Sequence, residues 1–173
     1  LVYFPLKHLG YKSVISVTGE LYSALAHPEA LALTLGVSAK LDFDQIKELW
    51  SGVVFAAKEQ GYKSLSLELE PSRNGLAISL AALGDSHQAA RPSAESKDLV
   101  CVSGSLGAAY LGQQVLEHKR DELEKYKMLV GSYLKPELSQ DVVTLVESTG
   151  IVPSYSYFVS RGLSDAVLRL NRD

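Results

Sequence analysis

KHLGYKSVISVTGELYSALAHP, residues 7–28, decides how the rest of the chain is read. It holds a single carboxylate, Glu20, among mostly apolar, small and hydroxyl residues. Two local readings compete. Residues 13–18, SVISVT, are rich in β-branched side chains and alternate, as a strand does. Leu6, Leu9, Ser13, Val17, Leu21 and Leu25 instead fall at helical spacings and draw one buried stripe along a helix of about 20 residues. Local propensity leaves the choice open.

The 173 residues are enough for one ordinary domain or parts of two. Hydrophobic residues make up 46% and charged residues 21%, the balance of a soluble globular protein. A net charge of −3 supplies no basic field for nucleic acid or an acidic membrane. No apolar run approaches the roughly 18 residues of a membrane span, and no signal peptide opens the sequence. Cys101 is the single cysteine, so neither an intrachain disulfide nor a zinc pattern is available. Its apolar setting, LVCVSG, predicts a buried inert thiol. Together these features predict a cytoplasmic protein. The sole methionine is Met128, the first residues are Leu1-Val2-Tyr3-Phe4, and the last lie in a helix-like run. A piece of a longer protein, or a chain that has lost its ends, is expected.

Along the chain, residues 1–4 read as the end of a strand, and Pro5 suits a first helical turn. Residues 30–37, ALALTLGV, alternate as a strand. Residues 42–60 are the clearest element. Asp42 with Gln45 three positions on is a capping-box pattern, and Phe43, Ile46, Leu49, Trp50, Val53, Val54 and Ala57 form one apolar face. Gly61 closes that helix in the left-handed conformation. Residues 64–69, SLSLEL, alternate strictly; 71–75, PSRNG, form a hairpin-like loop; and 76–83 return as a strand. Polar, small residues 86–98 form the linker between a first unit, 1–85, and a second, 99–173. In the second unit, 99–103 read as a buried strand and 104–107 as a tight turn. A helix follows and runs into the charged stretch 117–127, where Arg120/Glu124 and Asp121/Lys125 are spaced for pairing. A helix restarts at Pro136, with Leu138, Val142, Leu145 and Val146 on one side, and stops at Gly150. Residues 152–159, VPSYSYFV, alternate like a strand, and Gly162 turns into a last helix. The order predicts an α+β first unit with a meander pair and helices on one sheet face.

Ser103, Gly104, Ser105 and Gly107 form a glycine turn before a helix. Free backbone N–H groups at such a turn can cradle an anion. The lysine of a P-loop and the spacing of a dinucleotide fingerprint are missing, so a plain structural turn is the favoured reading. Glu20 and Glu68 are candidate metal or acid–base carboxylates, yet lone charges usually face solvent. His8, His27, His87 and His118 share no ligand spacing. Tyr155, Tyr157 and Phe158 suit an aromatic platform, or more simply a half-buried strand.

Taken in order, PLKHLGYKSVISV, NGLAISLAALG, VCVSGSLGAAYLG, LKPEL and GIVPSYSYFVSRGLSD resemble the thiamine-monophosphate kinase family, within the aminoimidazole ribonucleotide synthetase-like superfamily. The resemblance covers nearly the whole chain. It implies an aminoimidazole ribonucleotide synthetase-like N-terminal domain, with a mixed or antiparallel sheet and helices on one face, followed by the start of an α/β C-terminal domain. It implies a helix for residues 7–28. A segment with the family's Gly-Asp-Asp motif has no counterpart here. The implied reaction is ATP-dependent phosphorylation of thiamine monophosphate to the diphosphate, with Mg²⁺ neutralising phosphate oxygens. Mg and ATP are cofactors by this resemblance only.

At the aligned metal positions the chain departs from the family. Asn-x-Ser-Asp meets Val17-Thr18-Gly19-Glu20, Gly-Gly-Asp-Thr meets Ser66-Leu67-Glu68-Leu69, and Asp-x-Ser-Asp-Gly meets Phe158-Val159-Ser160-Arg161-Gly162. Glu20 and Glu68 are one methylene longer than Asp, which misplaces an oxygen in the strict octahedron of Mg²⁺. Lost glycines block close backbone approach to phosphate. Arg161 repels a cation, although with Ser160 and Gly162 it could pair with a phosphate. The expectation is a non-catalytic structural or interaction homologue, dimeric through its N-terminal sheet, with a nucleotide or phosphate at 103–107 as a further implied ligand. Its rivals are an active thiamine-phosphate kinase or divergent phosphotransferase in the full-length protein, and a small-molecule binder reusing the substrate cleft.

Overall fold

Residues 7–28 resolve into a helix and the start of a strand. The computed structural model describes residues 4–86 and 90–170, with the side chain of Val142 excepted. The expectations on residues 1–3 and on His87 fall outside the described residues. Helix α1 spans Leu6–Ser23, with Pro5 at its N-cap. Its hydroxyls are accommodated within the helix: Ser13 and Thr18 donate to the carbonyls of Leu9 and Val14, each at 2.8 Å. The helix stops in a Schellman motif. Leu25 takes φ +56°, its N–H meets Tyr22 O at 3.0 Å, and Ala26 N–H meets Leu21 O at 2.9 Å. A leucine in place of the usual glycine costs about 1–2 kcal/mol, against which its side chain is buried.

The buried face of α1 is Gly10, Tyr11, Val14, Ile15, Thr18, Gly19 and Tyr22. The expected stripe of Leu6, Leu9, Ser13, Val17 and Leu21 is only half-buried and flanks it, while Leu25 is buried beyond the helix end. The reason is backbone approach. A Cβ on Gly10 would collide with the carbonyl of Leu49, and one on Gly52 with the carbonyl of Lys7. Helix α1 therefore crosses the helix formed by Phe43–Glu59 nearly in backbone contact, and the small residues must point inward. Helix α2, Phe43–Glu59, has the expected capping box: Gln45 N–H donates to Asp42 Oδ1 at 2.8 Å and Asp42 N–H to Gln45 Oε1 at 3.0 Å. Gly61 closes it at φ +80°. Leu49, Val53, Ala56 and Ala57 are buried, but Phe43, expected on this face, is 77% exposed at the first turn.

Both helices cover one face of a mixed three-stranded sheet whose first strand in sequence lies between the other two. Central β1, His27–Val37, buries Leu31, Leu33 and Leu35 against the helices. β2, Ser64–Pro71, pairs with it in parallel, and β3, Ala77–Asp85, antiparallel. The expected hairpin between β2 and β3 is thus incorrect. Residues 71–76 carry the chain across the end of β1, where Ser72 N–H donates to Val37 O at 2.9 Å. The leucine-rich strand takes the centre because it alone buries three leucines against both helices.

In the second half, the expected strand at 99–103 is absent. Leu99 is 90% exposed, and Cys101 is exposed rather than buried. Residues 152–159 are likewise irregular. Neither segment has a neighbouring ladder among the described residues, and a strand cannot satisfy its backbone alone. Helix α3, Ala108–His118, ends two residues into the charged run. A 3₁₀ turn at Arg120–Glu122 follows, then α4 at Lys127–Leu134. Glu122 is paired by Lys119 at 3.8 Å and Lys125 at 3.0 Å. α5 begins at Asp141 rather than at Pro136, spans Asp141–Thr149 and stops at left-handed Gly150. It buries Val143, whereas Leu145 is exposed. α6 spans Leu163–Leu170.

Gly52→Ala should destabilise the protein by at least about 2 kcal/mol, while Ala at exposed Ser16 should be near neutral. Urea denaturation of the two variants checks this.

Candidate functional site

The second half docks on the first through polar contacts around Glu59, Gln60 and His27. Tyr11 Oη donates to Glu59 Oε2 at 2.6 Å, and Lys135 Nζ donates to Glu59 Oε1 at 3.0 Å. The Tyr11 hydroxyl is pushed well above its ordinary pKa by burial and by the Glu59 carboxylate. The same hydrogen bond from Tyr11, then the one from Lys135, holds the Glu59 carboxyl below its ordinary value. Buried Gln60 accepts from Tyr22 Oη at 2.9 Å and donates to Leu138 O at 3.3 Å, while Gln140 Nε2 donates to Gln60 O at 2.9 Å. Burial raises the Tyr22 pKa to about 12. His27 Nε2 meets Glu147 Oε1 at 2.8 Å. A polar cleft of about 350 Å³ opens between these contacts, lined by His27, Glu29, Lys63, Asp85 and Gln140.

A second junction lies at the C-terminal end of α1. Arg91 Nη2 donates to Ser23 O at 2.6 Å, and Arg91 Nη1 donates to Ser156 Oγ at 2.7 Å. Ser156 Oγ itself donates to Ser23 O at 2.5 Å. The guanidinium sits where the carbonyls of a helix end concentrate negative charge. One turn back, the ring of Phe158 packs on Gly19: a Cβ there would lie 2.5 Å from ring carbons. A cavity of about 360 Å³ beside Arg91 is lined by Pro92, Ser93 and residues 154–157. The sequence reading missed Arg91, Ser23 and Ser156. Its available signal was an arginine in an otherwise small-residue linker.

Glu20 and Glu68 are not brought together. Glu20 is exposed on α1, which packs against α2 and the β3 side of the sheet. Glu68 is exposed on β2, at the other edge, registered opposite Thr34; Thr34 Oγ1 donates to it at 3.4 Å. In the alternation of the sheet, Thr34 and Glu68 point away from the face that buries Leu33 and Leu35 against the helices. Ser103, Gly104, Ser105 and Gly107 form an exposed loop before α3, with both glycines at positive φ. Ser160, Arg161 and Gly162 form the exposed turn into α6. His8 Nδ1 lies 3.1 Å from Leu134 O, and His118 lies 3.9 Å from Glu117.

The residues at the aligned metal positions do not fit Mg²⁺. Mg²⁺ takes a near-octahedral oxygen shell at about 2.0–2.1 Å. Here an aromatic ring occupies the position against Gly19, a cation stands at Arg161, and the two glutamates lie on different sides of the sheet. No group of three or more His, Cys, Asp or Glu capable of holding a metal occurs among the described residues. No helix among them is long and apolar enough to cross a membrane.

No protein-family model matches the chain. A thiamine-monophosphate kinase of Rhodopirellula baltica is 26% identical over 136 residues, which is 78% of this chain and 43% of that protein. The chain thus spans less than half the length of this relative. The crystal structure of a thiamine monophosphate kinase from Aquifex aeolicus superposes with a TM-score of 0.76 at 20% identity, over 85% of this chain and 51% of its own. The hydrogenase maturation protein HypE of E. coli superposes at 0.50 and 16% identity, over 69% of this chain and 40% of its own. In sequence and in fold the chain resembles the thiamine-monophosphate kinase family, with the aminoimidazole ribonucleotide synthetase-like fold.

The depressed Glu59 pKa sets a pH dependence. Its contribution is present above the unfolded carboxyl pKa, about 4.3, and is lost as pH falls through the lower folded value. Glu59 is partly exposed, so the effect is screened. Glu59→Gln should cost about 0.5–1 kcal/mol at neutral pH, and the gap to the unchanged protein should close in acid. Denaturation at pH values on either side of the transition measures it.

Proposed function

We propose that this chain is a thiamine-monophosphate kinase-like module that does not itself carry out phosphoryl transfer, and that it acts as a structural or interaction partner. The observation that carries this reading is Phe158 packed on Gly19, at two positions aligned with the family's metal motifs. Phosphoryl transfer in water-excluded sites depends on metal ions that neutralise the phosphoryl oxygens and align the attacking and leaving groups. A chain that seats an aromatic ring there, and separates its two remaining glutamates across the sheet, cannot assemble that charge. The scaffold around the site is nevertheless retained: capped α2, the leucine-centred sheet and the glycine crossing of α1 with α2 keep the fold of the kinases.

The face of the sheet away from the helices supports pairing with a second copy. It carries small residues in register, with Ala32 opposite Ala81 and Thr34 opposite Ser79, and Leu83 on the same side is 69% exposed. A flat surface of small side chains lets two sheets approach closely, and the chain's own helices do not cover it. Such a module would work in the cytoplasm, where the thiamine phosphates implied by the family are made.

Two measurements test these statements. Calorimetric titration of the full-length protein with Mg-ATP should give no metal-dependent heat, and thiamine monophosphate should not be turned over. Tight, metal-dependent nucleotide binding accompanied by turnover would overturn the non-catalytic reading in favour of an active kinase. Sedimentation equilibrium should report a dimer that Ala81→Lys converts to a monomer; a monomeric unsubstituted protein would remove the sheet-mediated pairing.

A further inference from the structure

The contact between Phe158 and Gly19 is reciprocal. Gly19 lies inside α1, where glycine costs about 1 kcal/mol relative to alanine, and a Cβ at this position would stand 2.5 Å from the ring. Without the ring, the glycine is an unfilled notch in the helix surface. Without the notch, the ring has no seat. Four residues further along α1, Arg91 bridges the Ser23 carbonyl at 2.6 Å and the Ser156 hydroxyl at 2.7 Å, and it reaches Pro153 O at 3.5 Å. The guanidinium thus joins the linker, the end of α1 and the segment that carries Phe158. Its planar fork suits several acceptors at once, and bonds to a charged donor are stronger than neutral ones.

We infer that these two contacts form a metal-free clasp: the Phe158 ring on the Gly19 notch and the Arg91 bridge together hold residues 153–158 on the C-terminal half of α1, in the place where the family resemblance implies carboxylates joined by Mg²⁺. Among the described residues the segment has no strand neighbour to hold it, so the clasp supplies contacts that a ladder would otherwise provide. The substitutions are complementary in volume. Replacing the implied serine by glycine opens the space that replacing the implied aspartate by phenylalanine fills. The inference deepens the non-catalytic reading and rests on it.

Hydrogen exchange of the full chain, with and without millimolar Mg²⁺ or Mn²⁺, tests the clasp. Gly19→Ser and Phe158→Ala should each speed exchange in residues 153–158 by about tenfold or more. The double variant should be no worse than the worse single one, because both act on one contact. Arg91→Gln should loosen the same segment, and it serves as the independent variant should Gly19→Ser fail to fold. Exchange in Phe43–Glu59 reports whether each variant keeps its core. Neither cation should alter protection or Tm. Unchanged exchange in 153–158 across these variants would overturn the clasp. So would cation-induced protection of that segment, which, if it came without turnover, would leave the non-catalytic reading standing.

Discussion

Helices α1 and α2 touch backbone to backbone at Gly10 and Gly52, and the position of nearly everything else follows from that crossing. Side chains of ordinary size would hold the axes about 8–10 Å apart. The two glycines remove that spacer. The helices then lie close enough together for both to reach the short row of Leu31, Leu33 and Leu35 on β1. Tyr11, Val14 and Ile15 complete the core from α1, and Leu49, Val53, Ala56 and Ala57 from α2. The crossing also fixes the rotation of α1 about its axis. With Gly10 facing α2, Gly19 lies about 180° around the helix, at the far edge of the buried face and against Phe158, and the end of the helix presents the carbonyl of Ser23 to Arg91.

That rotation links the fold to the site. Two of the positions aligned with the family's metal motifs, Gly19 and Phe158, are neighbours in this chain, a ring on a glycine where the resemblance implies oxygen-bearing side chains. A metal bridge and an apolar contact both hold two segments together, yet they differ in what they demand. Carboxylates clustered without a cation repel one another. A ring packed on a glycine needs no counter-ion, and its attraction depends on contact area alone. Gly19 and Phe158 can therefore hold their two segments together without a cation between them.

Several elements were legible because their signals are local. The Asp42–Gln45 capping box, the left-handed stop at Gly61 and the alternation of β1 and β2 each depend on residues within one turn or one strand, and each formed as read. Gly150 and Gly162 likewise ended or opened helices where expected. The failures share a different cause. Leu25 stops α1 in a conformation that glycine usually adopts, so composition gave no warning. The loop at 71–75 has turn chemistry in either topology, and only the burial of three leucines places β1 between β2 and β3. Residues 99–103 and 152–159 have strand-like patterns, but strand formation requires a partner ladder. The ion pairs around Glu122 follow from the break after α3, which the charge spacing does not encode.

By itself, the sequence determined the capped helix at Phe43–Glu59 and the three strands of the first 85 residues, the α+β class, the family resemblance, which implies a helix at 7–28, and the altered residues at the aligned metal positions. These are properties of residue type and short spacing. Tertiary structure alone decided where α1 stops, which of its faces is buried, the order of the sheet, the separation of Glu20 from Glu68, and the meeting of Arg91, Ser23, Ser156, Gly19 and Phe158. These last join residues at least 65 positions apart, and Ser156 reaches Ser23 across 133. No local pattern carries such information, because the free energy that selects the contact is gained only when the packed core has already brought its partners together.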